Sequence, residues 1–331
     1  MRPIAVIGAG SWGTALAIQF ARAGRPVHLW GRNTDQQQAM QRERCNARYL
    51  PEAVFPDSLT VCVDLSQALQ QVGEVLVAAP SHSLRSVLTQ LKPLLQPDMR
   101  LCWATKGFEL QTGKLPHQVA EEVLGSIRMA VLSGPTFAKE VGAGLPTAMT
   151  VAASDTEYAL ELAHSISSEN FRAYTSTDIV GVEVGGAVKN VLAIGAAVCD
   201  GLQFGANTRI ALITRGLKEM TRLGLALGAQ AETFMGLAGL GDLVLTCTDN
   251  QSRNRRFGLA FAAGQSAAQA QAEIGQVVEG VGASVAVMQV AEQHQVDMPI
   301  CRQVYRMLHQ GLSPKVAVKE LMARQIKAEA G

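Results

Sequence analysis

Residues 4–13 read Ile4-Ala5-Val6-Ile7-Gly8-Ala9-Gly10-Ser11-Trp12-Gly13, an apolar run that breaks into G-x-G-x-x-G. Each glycine has its own task. Gly8 permits a tight turn, Gly10 leaves the backbone bare so that a pyrophosphate can approach, and Gly13 lets a new helix pack closely on its strand. The first N–H groups of that helix, at the positive end of its dipole, then face the phosphates. The flanking sequence supports the motif. Ala15, Leu16, Ile18, Phe20 and Ala21 follow helical spacing after it, and a second strand, Val27–Trp30, comes next. The stretch predicts a βαβ unit that binds a dinucleotide, with Gly8, Gly10 and Gly13 at the cofactor.

Outward from this unit, short apolar strands alternate with helices. The expected strands are Pro3–Ile7, Thr60–Val63, Glu74–Ala79, Arg100–Ala104, Met129–Ser133 and Ala148–Ala152, with helices such as Ser83–Leu91 and Thr156–Ile166 between them. The runs are continuously apolar, which marks parallel strands buried on both faces. Right-handed crossovers then wind a Rossmann-type doubly wound parallel sheet. After Asp178 the strand signals stop. Ile179–Cys199, Thr208–Leu225, Ala283–Glu292 and Ile300–His309 carry helical periodicity, punctuated by Gly201, Gly205, Gly228, Pro299 and Pro314. Ala262–Ala272 is Ala/Gln-rich and reads as a surface helix. The expected architecture is an α/β dinucleotide-binding domain over 1–178 and an all-α substrate domain over 179–331.

Composition narrows the class. A length of 331 residues suits two domains, and 48% hydrophobic against 17% charged residues implies a large core rather than disorder. A net charge of +1 argues against a broad basic nucleic-acid face. The six cysteines (45, 62, 102, 199, 247 and 301) form no C-x-x-C pair and have no histidine at metal spacing. They read as reduced core residues of a cytoplasmic protein with no metal site. No run of 18 or more residues lacks polar breaks, so no transmembrane segment is expected. A strand beginning at residue 3 leaves no signal peptide ahead of it. The small residues of the second half suit a homodimer interface or tight internal packing, and oligomeric state stays open.

Several strand ends carry chemistry. The second strand ends Leu29-Trp30-Gly31-Arg32-Asn33. The acid that would hold a ribose 2′-OH is missing, and Arg32 stands about where it would be. An arginine can pair with a 2′-phosphate, so NADP(H) is the expected cofactor. Ligands of open α/β sheets lie beyond the carboxyl ends of strands. Lys106 in Ala104-Thr105-Lys106-Gly107-Phe108-Glu109 is placed there, as are Gly134 and Thr136 in Ser133-Gly134-Pro135-Thr136-Phe137-Ala138. Pro135 there suits the first position of a helix. Each also has a simpler reading as a loop residue serving local backbone groups.

In the second half, Val184–Cys199 (VGGAVKNVLAIGAAVC) holds one charge, Lys189. A lysine there either snorkels its head to water or stays desolvated with its pKa pulled down, ready to exchange a proton with a carbonyl or alcohol oxygen. Asp242, between apolar runs, needs a partner. Lys189 can be that partner, and a helix N-cap is the alternative. Ser252 looks like an N-cap with Arg253 and Asn254 in the first helical turn. Arginines oppose the dipole there unless an anion binds.

Taken in order, GAGSWGTALA (8–17), ATKGFE (104–109), SGPTFAKEV (133–141), GGAVKNVLAI (185–194), GLAGLGDLVLTC (236–247), SRNRRFG (252–258) and VVEGV (277–281) resemble the NAD(P)-dependent glycerol-3-phosphate dehydrogenases of bacteria over nearly the whole chain. The resemblance implies reversible reduction of dihydroxyacetone phosphate to sn-glycerol 3-phosphate, feeding glycerophospholipid synthesis. It makes Lys189 the proton donor and acceptor. It puts Lys106, Gly134, Thr136, Asp242, Ser252, Arg253 and Asn254 around the substrate. Ser11, Trp12, Arg32, Asn33, Lys106, Ala138, Arg253, Val277 and Glu279 fall near the cofactor. Thr136 is often Ser in the family, which keeps the hydroxyl. Asn33 is often basic, so the grip on a 2′-phosphate is looser here and NAD(H) is open as well. A β-hydroxyacid or ketopantoate-type reductase is the nearest alternative, and the SRNRR cluster favours a phosphorylated substrate instead. A non-catalytic nucleotide sensor would have no need of Lys189, Asp242 and the basic helix start together.

Overall fold

Short apolar runs make short strands here. The computed structural model describes residues 1–325. Its strands are β1 (Ile4–Ile7), β2 (Val27–Trp30), β3 (Cys45–Asn46), β4 (Leu50–Val54), β5 (Leu59–Cys62), β6 (Glu74–Val77), β7 (Arg100–Trp103), β8 (Met129–Ser133), β9 (Thr147–Ala153) and β10 (Phe171–Ser176). Eight of them form one sheet in the order β10-β9-β8-β7-β6-β1-β2-β5, and β3 pairs with β4 in a separate hairpin. From β5 to β8 every pairing is parallel, as continuous apolar runs require. The order reverses at β1, which lies between β2 and β6. The glycine loop leaves the sheet at this switch point.

The sheet is not parallel throughout, which corrects the expected all-parallel winding. β9 runs antiparallel to β8, with Ser133 opposite Thr150, and β10 runs parallel to β9. The link from β8 to β9 carries only the six-residue helix Ala138–Ala143. That helix packs on the helix Ser11–Arg22 and makes no crossover along β8. The chain therefore enters β9 from the end where β8 stopped. The same link corrects the helix start expected at Pro135. Gly134 takes φ +150°, with Met149 Cα 2.9 Å from where a Cβ would stand, and the helix begins three residues after Pro135. The Ala262–Ala272 stretch is not one helix either. The helix Arg253–Ala262 ends there, Gly264 at φ +97° turns the chain, and Ser266 caps a new helix, Ala267–Ile274.

Beyond β10 the described residues are helical. The helix Ile179–Gly201 is buried from Gly181 to Cys199 and forms the axis of the second half. Asp178 starts it. Its carboxylate accepts from Gly181 N at 2.8 Å, Gln230 N at 2.9 Å and Thr233 Oγ1 at 2.6 Å. By length and apolarity this helix could cross a bilayer, but its apolar window is wholly buried inside the fold, so it is a core helix. Val184, Val188, Val191, Leu192 and Ile194 are shielded from water. Each such side chain contributes about 1.5–3 kcal/mol on burial. Lys189 sits among them, and its apolar neighbours hold its amine away from bulk solvent.

Candidate functional site

A cavity of about 1090 Å³ runs between the C-terminal end of the sheet and the helical half. On the sheet side its wall includes Gly10, Ser11, Trp12 and Gly13, then Lys106, Thr136 and Ala138. On the helical side it includes Lys189, Asn190, Asp242, Ser252, Arg253, Asn254, Val277 and Glu279. Residues singled out over some 270 positions of sequence thus share one space.

The glycine loop is shaped for a ligand. Gly8 has φ +121° and packs so tightly that a Cβ would lie 2.6 Å from Ala78 O. A Cβ on Gly13 would lie 1.9 Å from Gly8 O, so helix and strand touch there. Gly10 differs, with no atom within 4 Å of where a Cβ would stand. That space opens onto the start of the helix Ser11–Arg22, where no side chain caps the first turn. Trp12 Nε1 is buried without a partner in the same wall. Free backbone donors, an orphaned indole N–H and a bare glycine together fit the pyrophosphate of a dinucleotide.

The opposite end carries charge. Asp242 is 1% exposed and opens the helix Asp242–Thr248. Its Oδ1 accepts from Lys189 Nζ at 2.5 Å and its Oδ2 from Lys106 Nζ at 2.7 Å. Lys189 also reaches Thr246 Oγ1 at 3.1 Å, and Lys106 reaches Gly134 O at 3.3 Å. Lys189 does not snorkel. Burial pulls its pKa down to about 8, against the pull of Asp242, and Lys106 pushes the same way as burial. Burial pushes the Asp242 carboxyl up, but the two ammonium groups outweigh it and hold it below the usual range.

An amide chain joins the helices around this centre. Asn254 Nδ2 donates to Asn190 Oδ1 at 2.9 Å, Gly280 N donates to Asn254 Oδ1 at 2.9 Å, and Asn190 Nδ2 donates to Glu279 Oε2 at 3.3 Å. Ser252 caps the helix Arg253–Ala262 by accepting from Arg255 N at 3.2 Å. That leaves Arg253 in the cavity wall at the positive end of the helix.

Four expected site residues stand outside the wall. Gly8 lies behind the loop it shapes, and Gly134 contributes a carbonyl to Lys106. Arg32 and Asn33 are exposed at the end of β2. Asn33 Oδ1 accepts from Gln36 N at 2.8 Å and caps the helix Thr34–Glu43. The wall also holds residues not singled out from sequence: Tyr49 between β3 and β4, Lys139, Thr246 and Arg256. Thr246 lies one helical turn after Asp242, so i,i+4 spacing was a signal for it. Tyr49 had none. Among the described residues no group of His, Cys, Asp and Glu could hold a metal.

Comparison with known proteins places the chain in a family. Residues 3–159 match the N-terminus of NAD-dependent glycerol-3-phosphate dehydrogenase and residues 178–319 match its C-terminus. The chain is 54% identical over 328 residues to an NAD(P)+ glycerol-3-phosphate dehydrogenase of Aeromonas salmonicida, covering 98% of each. It is 55% identical over 326 residues to one of Serratia proteamaculans, covering 98% of this chain and 96% of the relative. The crystal structure of glycerol-3-phosphate dehydrogenase from Coxiella burnetii superimposes with a TM-score of 0.94 at 47% identity, covering 98% of this chain and 99% of that one. The chain belongs to the NAD-dependent glycerol-3-phosphate dehydrogenase family.

Proposed function

We propose that this chain is an NAD(P)-dependent sn-glycerol-3-phosphate dehydrogenase that reversibly reduces dihydroxyacetone phosphate to sn-glycerol 3-phosphate for glycerophospholipid synthesis. One observation carries this most directly. The Lys189 amine lies in a cleft with the glycine loop on one side and the Ser252–Asn254 helix start on the other, and Asp242 holds it at 2.5 Å.

A bound NAD(P)H supplies the hydride. The remaining work falls to side chains. Backbone N–H groups at Ser11–Gly13 and the Trp12 indole hold the pyrophosphate. Arg253, Asn254 and the helix start grip the substrate's phosphate and fix its orientation. Lys189, as ammonium, gives its proton to the growing alkoxide. In the reverse direction the neutral amine takes it back. Lys106 adds positive charge near that oxygen, which favours the transition state over the neutral ketone. Asp242 keeps both ammonium groups in place and stops their mutual repulsion from deprotonating Lys189. Thr136 supplies a hydroxyl to the substrate, while Ala138, Val277 and Glu279 line the cofactor's side of the cleft.

Arg32 favours NADP(H) by pairing with a 2′-phosphate at the edge of β2. Asn33, spent as a helix cap, adds no charge there, so NAD(H) is accepted too. We read the chain as two units, 1–178 and 179–331; residues 326–331 of the second lie outside the described residues. Free cysteines, five of them buried, suit the cytoplasm. A homodimer through the small-residue helical half is testable by sedimentation. The deciding assay mixes purified protein, NADPH and dihydroxyacetone phosphate and follows the reduced cofactor's absorbance, then repeats with NADH and with unphosphorylated ketones. Rapid oxidation with the phosphorylated ketone alone is expected. Equal rates with an unphosphorylated hydroxyketone would overturn the substrate assignment.

A further inference from the structure

Arg253, Arg255 and Arg256 follow Ser252, but they face different ways. Arg253 and Arg256 line the cavity, whereas Arg255 turns inward and is 9% exposed. Arg255 Nη1 donates to Asp200 Oδ2 at 2.5 Å and to Cys247 O at 2.9 Å, and its Nε donates to Asn250 Oδ1 at 3.0 Å. Asp200 lies in the last turn of the helix Ile179–Gly201, where the helix dipole disfavours a carboxylate. Arg209 steadies it from the other side, with Nη1 3.0 Å from each oxygen. Neither Asp200 nor Arg255 lines the cavity.

This fork ties together three elements. Asp200 ends the helix that carries Lys189. Cys247 belongs to the last turn of the helix that carries Asp242 and Thr246. Asn250 sits in the loop that leads into Ser252, Arg253 and Asn254. A planar guanidinium fixes all three contacts in one plane, which an ammonium cannot do. We propose that Arg255, held by Asp200, is a positioning residue that sets where the phosphate-gripping helix start stands relative to the Lys189 amine. The role rests on the proposed activity, because it presumes a phosphorylated ketone spanning that distance. Orientation of this kind is lost when a gripping group moves by about 1 Å.

The test uses Arg255→Lys and Asp200→Asn, which keep bulk and leave the cavity wall intact. Two quantities are measured: kcat/KM for dihydroxyacetone phosphate and for dihydroxyacetone, and amide hydrogen exchange across 247–254 in the ligand-free protein. In both variants the preference for the phosphorylated ketone falls roughly tenfold or more, carried by KM. Activity on dihydroxyacetone stays within about threefold, and exchange across the segment quickens. A loss shared equally by the two ketones would mean general loss of structure and overturn the assignment, as would unchanged exchange. If the unmodified protein fails to reduce dihydroxyacetone phosphate, the proposed function falls and takes the substrate-positioning role with it, and the exchange result then reports only whether Arg255 holds the 247–254 segment in place.

Discussion

Replacing Asp242 with asparagine removes one charge and keeps the shape. Asp242 lies 2.5 Å from the Lys189 ammonium and 2.7 Å from that of Lys106. At 2.5 Å and an effective dielectric of about 20, two unit charges interact by roughly 6–7 kcal/mol. Even a third of that, about 2 kcal/mol, lowers the pKa of Lys189 by roughly 1.5. The starting value is about 8, so the Asn variant falls to roughly 6.5. At about pH 7.5 the ammonium fraction then drops from roughly three quarters to under a tenth. The unshielded repulsion between the two lysines pushes the same way. Ketone reduction needs the ammonium, so kcat at that pH falls at least about eightfold through protonation alone. The assay is kcat for reduction across pH, in the original protein and in Asp242→Asn. The original rate declines as pH rises through about 8. In the variant the decline sits at lower pH by roughly 1.5 or more. Breaking a buried pair also costs about 3–5 kcal/mol of stability, so melting curves establish that the variant is folded at the assay temperature. Superimposable pH profiles from folded proteins would refute the argument that Asp242 sets the protonation of Lys189.

Other expected outcomes follow from single positions. Gly10→Ala adds a methyl group where no atom lies within 4 Å; the fold keeps its melting temperature, but affinity for NADPH falls about tenfold or more, by roughly 1.4 kcal/mol. Gly13→Ala pushes a methyl group to 1.9 Å from Gly8 O and costs about 1–3 kcal/mol of stability, so equal melting temperatures for the two variants would contradict the division of labour. Arg32→Asp lowers the ratio of NADPH to NADH efficiency about tenfold, and an unchanged ratio sinks the 2′-phosphate role. Burial raises the Glu219 pKa to about 7, against the pull of the Ile300 and Cys301 N–H groups that it caps. The folded state therefore binds the proton more tightly than the unfolded chain. Stability contributed by that proton is full below about pH 4.5 and is lost as pH rises to about 7. Urea midpoints should fall across that window and flatten in Glu219→Gln; an identical slope in the variant would show that another group is responsible.

The first half of the sheet was legible because its signal is local. A four-residue apolar run followed by G-x-G-x-x-G can hardly be anything but a buried strand entering a helix. Strand direction is not local. Nothing in the Ala148–Ala152 stretch says that β9 runs against β8, because the short link 134–146 decides it. β10 (Phe171–Ser176) escaped notice because its outer positions are exposed and polar, as suits an edge strand. The β3–β4 hairpin escaped because one of its strands has two residues. Tyr49 was lost with it. Lys189 was legible for the opposite reason: a single charge among apolar neighbours must be paired or perturbed, and here it is both. Asn33 shows the limit of reading polar residues at strand ends, since its side-chain oxygen also caps the next helix, which a reading of the strand end alone does not reveal.

In the proposed reaction the Lys189 amine is the group that moves the proton. Single-turnover reduction of dihydroxyacetone phosphate, with NADPH already bound, tests this directly in Lys189→Met. The variant should react about 10²–10⁴-fold more slowly than the original protein, with nucleotide affinity within about twofold, a change of roughly 0.4 kcal/mol. A folded variant that turned over within about threefold of the original rate would show that some other group does the work.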